Sequence, residues 1–330
     1  MKRYVWAAVW SIGTMLTGWL LAQGRPAFVS KSTPLVLLTL LACTAALLWL
    51  LVGKLKSLSD DTARTRRGRF FFTIIAAAIV LFSLRALAGP PLLFALPVIG
   101  IAVCIALRCR LSRRASVYLS VLAVTAGVAG LGAGWAKFPP VTWAVLQLAL
   151  VPTSLAAGWS ILDHTCLRHT GIGRSLYLTD GLPAALRGFA QGALIAVPWA
   201  LGLVALGGAD KETWVQSWWQ PLTAIQPGIA EEAWGRVLLI PLLFMLLLKT
   251  ARPRTALTAS VLIMAYWFAY LHTPGGSGAV FSTMIMGTLI ILPLSILWLE
   301  RGLETAIGFH FWLDFTKFLL AFLMNQSLTS

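Results

Sequence analysis

Charged side chains are scarce in this sequence. They make up 11% of its 330 residues, against about 25% in an ordinary soluble domain. That shortage excludes a soluble globular chain. Cysteine is scarce as well. Cys43, Cys104, Cys109 and Cys166 have no metal-ligand spacing, and they imply no disulfide framework. Strand-like alternation is missing from the long apolar runs, which excludes a transmembrane β-barrel. The basic loops are short and lack interleaved aromatics, so the net charge of +15 does not point to nucleic acid.

Apolar residues fill the space that charge leaves. Hydrophobic residues make up 58% of the chain, in runs about 20 residues long. Backbone groups in lipid must be satisfied internally, so these runs read as helices of an all-α polytopic membrane protein. Eleven spans are predicted: 5–21, 34–52, 70–88, 92–107, 117–135, 141–162, 186–206, 222–248, 256–272, 279–299 and 304–324. The basic residues test this topology. Nineteen of them, from Lys2 and Arg3 to Arg301, fall at the N-terminus or in alternate loops. The intervening loops hold only Arg25, Lys31, Lys137 and Lys211. This positive-inside bias puts the N-terminus in the cytoplasm and the C-terminus outside. It also favours anionic lipid head groups as neighbours. Arg85 and Lys317 fall near predicted span ends and are expected to snorkel.

The chain divides into three regions. Residues 1–162 form a six-helix membrane region with no assigned role. Residues 163–185 form a polar cytoplasmic loop, and residues 186–330 form a C-terminal helix bundle. The first span is long and has no Ala-x-Ala cleavage site, so it reads as a retained helix. The expected location is a multi-pass position in a bacterial-type plasma membrane.

All the unusual polar clusters lie in the C-terminal bundle. They are Glu231-Glu232-Ala-Trp-Gly-Arg236, Phe268-Ala-Tyr-Leu-His272 and His310-Phe-Trp-Leu-Asp314. Charge in hydrocarbon costs several kcal/mol unless it is paired or faces a wet cavity. Glu231 and Glu232 point about 100° apart on an α-helix, so they are not expected to face one partner. Glu232 and Arg236 share a face in the favourable ion-pair order. Arg236 is then expected to neutralise Glu232 and leave Glu231 free as a general base. A Glu–Arg pair that merely joins helices is the blander reading. His272 alone would read as a helix-end residue, and His310 with Asp314 as a satisfied hydrogen bond. His164 and His169 sit in the polar loop and are expected to be solvated. Counted from the predicted inner helix ends, Glu231 and His272 lie at about 26 Å and His310 and Asp314 at about 12–18 Å. The sequence does not close that gap.

These three pieces, in this order on successive membrane helices, resemble the CPBP family. That family comprises type II CAAX prenyl proteases, bacteriocin-processing enzymes and their relatives. The resemblance spans about residues 173–324, and the stretch Asp180 to Gly192 looks like the start of the family core. It implies an intramembrane glutamate-type endopeptidase. By the resemblance, Glu231 would activate water and His272 would orient it or share its proton. His310 and the residue at 314 would stabilise the oxyanion, with Glu232, Arg236 and Phe268 in support. Position 314 is usually Asn in the prenyl-protease branch. Asp314 cannot donate a hydrogen bond when ionised, so either it is protonated or it orients His310.

The favoured reading has no metal cofactor. In the alternative, Glu231, His272 and His310 would hold zinc. The expected partners are a membrane-associated or exported peptide or protein substrate and membrane lipids, with no nucleic acid. Two other functions compete. A proton-coupled transporter would use the same residue types, but repeat symmetry is lacking. A non-catalytic scaffold or immunity-type protein on the same fold is the third reading.

Overall fold

The computed structural model describes residues 102, 106, 111–134, 139–168, 170–207, 212–273 and 279–327. The first three predicted spans, most of the fourth, Cys43, Cys104, Cys109, Arg85 and His169 lie outside the described residues. Every regular element among the described residues is helical. In order they are α1 (Arg113–Leu131), α2 (Pro140–Asp163), α3 (Leu176–Asp180) and α4 (Leu182–Gly207). A 3-10 turn, Gln220–Ala224, leads into α5 (Ile225–Glu231), a π-helical segment Glu232–Leu239 and α6 (Ile240–Leu247). Then come α7 (Pro253–His272), α8 (Ala279–Met286), a second π segment Gly287–Ile291, α9 (Leu292–Arg301) and α10 (Leu303–Ser327). Among the described residues, six helices are long and apolar enough to cross a membrane. The winding path 220–247 is the seventh long helical run among the described residues.

Local sequence explains the boundaries. Ser112 caps α1, accepting a hydrogen bond from Ala115 N, so the helix starts four residues before the predicted span. Arg113 and Arg114 are therefore helical and do not lie in a loop. Pro140 and Pro253 occupy first helical positions, where the missing N–H costs nothing. Both π segments are followed two residues later by proline, Pro241 and Pro293. A proline supplies no N–H and crowds the carbonyl four residues back, so the preceding turn widens.

The loop predicted over 163–185 is more ordered than expected. It contains α3, and α4 begins at Leu182. It folds back onto the junction of α9 and α10. Leu303 N donates to Arg174 O at 3.0 Å. Gly302, at φ 93°, makes the turn between the two helices, and a side chain there would overlap Arg174 O. Glu304 completes the junction. Its Oε1 accepts from Tyr118 OH at 2.8 Å, Ser175 Oγ at 2.6 Å and Tyr177 N at 3.0 Å. Its Oε2 accepts from Leu176 N at 2.8 Å. One buried carboxylate thus ties α1, α3 and α10 together. Tyr118 stacks on Tyr177, and Arg114 lies over the same Tyr177 ring.

The helix that carries His310 is seated by glycines. Gly188 and Gly192, four apart on α4, face Thr305 and the Gly308–Phe309 backbone of α10. Gly308 faces the Phe189 backbone in return. A Cβ at Gly192 or Gly308 would overlap main-chain atoms of the other helix. Small residues at this spacing let membrane helices approach closely. At the other end of α10, Lys317 pairs with Glu212, and Asn325 Nδ2 donates to Val215 O at 2.9 Å. Lys317 was expected to snorkel from a span end. However, α10 runs on to Ser327, which leaves Lys317 within the helix and beside an acid.

Candidate functional site

Three helices bring the sequence motifs together. α5 and the π segment carry Glu231, Glu232 and Arg236, α7 ends on His272, and α10 carries His310 and Asp314. Glu231 is the hub. Its Oε1 lies 3.5 Å from His272 Nε2, and its Oε2 lies 3.6 Å from His310 Nε2. His310 Nε2 also lies 3.4 Å from Asp314 Oδ2. On the other side of the ring, His310 Nδ1 is 2.8 Å from Glu232 Oε1. Arg236 Nη1 donates to that same oxygen at 3.0 Å.

One expectation is overturned here. Glu231 and Glu232 were expected to serve different partners, yet His310 meets both. An imidazole has nitrogens on two sides, so a single ring spans two diverging carboxylates. The widening of the helix from α to π at Glu232 changes the angle between them as well. The expected Glu232–Arg236 pair is present, and both side chains are fully buried.

The depth mismatch also has a physical reason. His310 is seven residues beyond the start of α10, and His272 is nineteen beyond the start of α7. At about 1.5 Å per residue the two offsets differ by about 18 Å. The contacts show that α10 does not begin level with α7. Its first turn rests on the folded 174–177 stretch, which occupies the end of the bundle beneath it.

Hydrogen bonds fix both imidazoles in the same sense. His272 Nδ1 lies 2.9 Å from Phe268 O, a carbonyl that can only accept. His310 Nδ1 lies against a carboxylate already paired with Arg236. Each ring therefore carries its proton on Nδ1 and presents Nε2 to Glu231. Stacking adds to the restraint on His272. Its ring lies 4.6 Å from Phe268, centre to centre and nearly parallel. Phe268 in turn stacks on Trp234 and takes the Arg236 guanidinium over its face at 4.6 Å. Trp312, the other tryptophan inside a motif, packs among Phe189, Phe311 and Phe315.

Exposure is graded across the site. The Glu232 and Arg236 side chains are 0% exposed, His310 9%, Glu231 22%, Asp314 24% and His272 39%. The site is closed behind Glu232 and open at His272, Glu231 and Asp314. A polar group entering from the open side meets the Glu231 and Asp314 carboxylates and His272 first, with His310 Nε2 behind them. Among the described residues, no group of three or more His, Cys, Asp or Glu side chains stands in a geometry that would hold a metal ion. His164 is exposed and its Nδ1 lies 2.6 Å from Ser160 O at the end of α2.

The sequence reading passed over Glu304 and Glu212, and it gave Glu232 no partner beyond Arg236. Acidic residues number only eleven, and that scarcity was the available signal for all three. Their partners lie 78 to 186 positions away for Glu232 and Glu304, beyond any local pattern. No family model, no curated protein and no solved structure matches this chain.

Proposed function

We propose that this chain is an intramembrane endopeptidase of the CPBP type, hydrolysing a peptide bond near the membrane with a water activated by Glu231. The observation that carries this reading is convergence. Three motifs from separate helices, up to 83 positions apart in sequence, meet at the two oxygens of Glu231. In this reading the membrane region has eleven spans, with the N-terminus in the cytoplasm and residues 186–330 forming the protease core of a plasma-membrane protein. The site then opens toward the outer half of the bilayer, which suits an exported or membrane-associated peptide.

The geometry supports the following chemistry. A water on the open side of Glu231 gives its proton to the carboxylate and attacks the scissile carbonyl carbon. His272, held by Phe268 O, orients that water through Nε2. The carbonyl oxygen becomes an oxyanion. His310 donates to it from Nε2 when the ring carries a second proton, and the surrounding carboxylates compensate that charge. Glu231 then returns its proton to the leaving amine, the C–N bond breaks, and acid and amine products separate. Asp314 acts through His310 in this scheme and does not touch the oxyanion. That removes the difficulty of a carboxylate facing developing negative charge.

The test is cleavage of candidate peptides by the purified protein beside Glu231→Gln, with and without a strong zinc chelator. The expected result is a loss of about 10²–10⁴-fold in Glu231→Gln, the range for a general base, and no effect of chelator. Loss with both, restored by zinc, would make Glu231, His272 and His310 metal ligands. Equal cleavage by variant and wild type would refute the assignment of Glu231.

A further inference from the structure

Polar atoms without partners are concentrated behind the site. Gln147 and Ser154 on α2, Gln226 on α5, and Glu232 and Arg236 on the π segment are each no more than 2% exposed. Gln147 Oε1, Ser154 Oγ, Gln226 Oε1, Glu232 Oε2, and Arg236 Nε and Nη2 have no hydrogen-bond partner among the described residues.

Packing places these atoms along one interface. α2 and the 220–247 run lie side by side in the same direction. Near their starts, Gly130 of α1 approaches both Trp143 and Gln226, at 3.2 and 3.7 Å from a Cβ built there. Further along, Gly158 lies directly against Val237 O. Gln147 stands one turn beyond Trp143 on α2, and Ser154 one turn before Gly158. The polar residues therefore fall between these two contacts, with the two glutamines toward one end and the Glu232–Arg236 pair toward the other. From Gln226 to Glu232 is six residues, about 9 Å of helix. Two waters, making three hydrogen-bond steps of about 2.8 Å, cover that length.

We infer that a file of internal water molecules runs between α2 and the 226–236 stretch, from Gln147 and Gln226 to Glu232 and Arg236 at the rear of the site. Buried waters occur where several buried polar groups lack protein partners. In hydrocarbon no outside solvent takes that role. Neither glutamine Oε1 has a partner, so the two amides do not bond to each other, and Ser154 does not use its own helix carbonyls. A bridging ligand that both donates and accepts satisfies every atom named, and water is the smallest that does. The file reaches the site from the side opposite its open mouth. It gives Glu232 and His310 a proton path that a bound substrate does not block. The inference concerns hydration and holds whatever bond the site breaks.

A crystal structure of the whole protein at better than about 2 Å tests it directly. The expected result is solvent density within hydrogen-bond distance, about 2.7–3.2 Å, of Gln147 Oε1, Gln226 Oε1, Ser154 Oγ and Glu232 Oε2. Two amides bonded to each other, with Glu232 Oε2 bonded only to protein, would overturn it. Radiolytic hydroxyl labelling of the protein in detergent is the second measurement. Val151 and Leu155 are fully buried and lie within a turn of Ser154 on α2. Labelling at both in the wild type, falling at least severalfold in the double variant Gln147→Leu, Gln226→Leu, is expected. No labelling in the wild type, or labelling unchanged in the double variant, would overturn the file.

Discussion

Replacing Glu304 by alanine should uncouple α10 from the rest of the bundle, and the cost can be worked from its contacts. Glu304 is 5% exposed and accepts four hydrogen bonds from neutral donors. Without it, Tyr118 OH and Ser175 Oγ are left in a buried pocket. Each stranded donor costs about 1–3 kcal/mol. The two amides, Leu176 N and Tyr177 N, are partly exposed and recover water, so they add little. The expected loss is about 2–6 kcal/mol. A double-mutant cycle isolates one bond. Tyr118→Phe removes a hydrogen bond to a charged acceptor, worth about 1.5–3 kcal/mol in the wild type. In the Glu304→Ala background the hydroxyl is stranded, so the same change should cost nothing and recover about 1–3 kcal/mol. Denaturant titration of the four purified proteins in one detergent gives the four free energies. If Tyr118→Phe costs the same in both backgrounds, the carboxylate does not hold α1 to α10 and the reasoning fails.

Other outcomes follow from the same contacts. Gly192→Ala should destabilise by about 3 kcal/mol or more, because its Cβ meets backbone that cannot yield. Gly228→Ala, whose Cβ finds 3.2 Å to Phe311 N, should cost clearly less in the same unfolding assay. Asp314→Asn keeps a polar group in reach of His310 Nε2, so peptide cleavage should stay within about tenfold of wild type. Asp314→Leu should lose about 100-fold or more, and equal rates for the two would remove Asp314 from the mechanism. Cys166 is exposed in the 164–175 stretch. With Cys43, Cys104 and Cys109 changed to serine, an impermeant maleimide should label it only from the cytoplasmic face. Labelling from the outside would invert the proposed orientation.

Helices and motif residues were legible because both leave local signals. Apolar length marks a span, and a charge inside one stands out against its neighbours. The seven spans predicted within the described region fall within about four residues of the observed helical runs, and the larger offsets have local causes such as the Ser112 cap. The arrangement of the site was less legible. That Glu231 would be reached by two imidazoles follows from the level at which α10 begins, and that level is set by a loop 130 residues earlier in the chain. The sequence reading treated this loop as a solvated connector, because its glycines and polar residues look the same in either role. The π turns were not legible either. Pro241 and Pro293 signalled a disturbance in the helix but not its form.

The π segment has a consequence for how the helix as a whole can be oriented. A turn of this kind holds more residues than an α turn, so the helical phase after it is shifted from the phase before it. The upstream half is aimed by Gly228 at α10, while the downstream half is aimed by Val237 at Gly158 of α2. A uniform α-helix would have to satisfy both neighbours with one rotation. Here each half takes its own, so the face that carries the carboxylates and the packing face are set independently. Deleting one residue from 233–235 would restore a single phase. Either the carboxylates would then turn away from His310, or the seam with α2 would open.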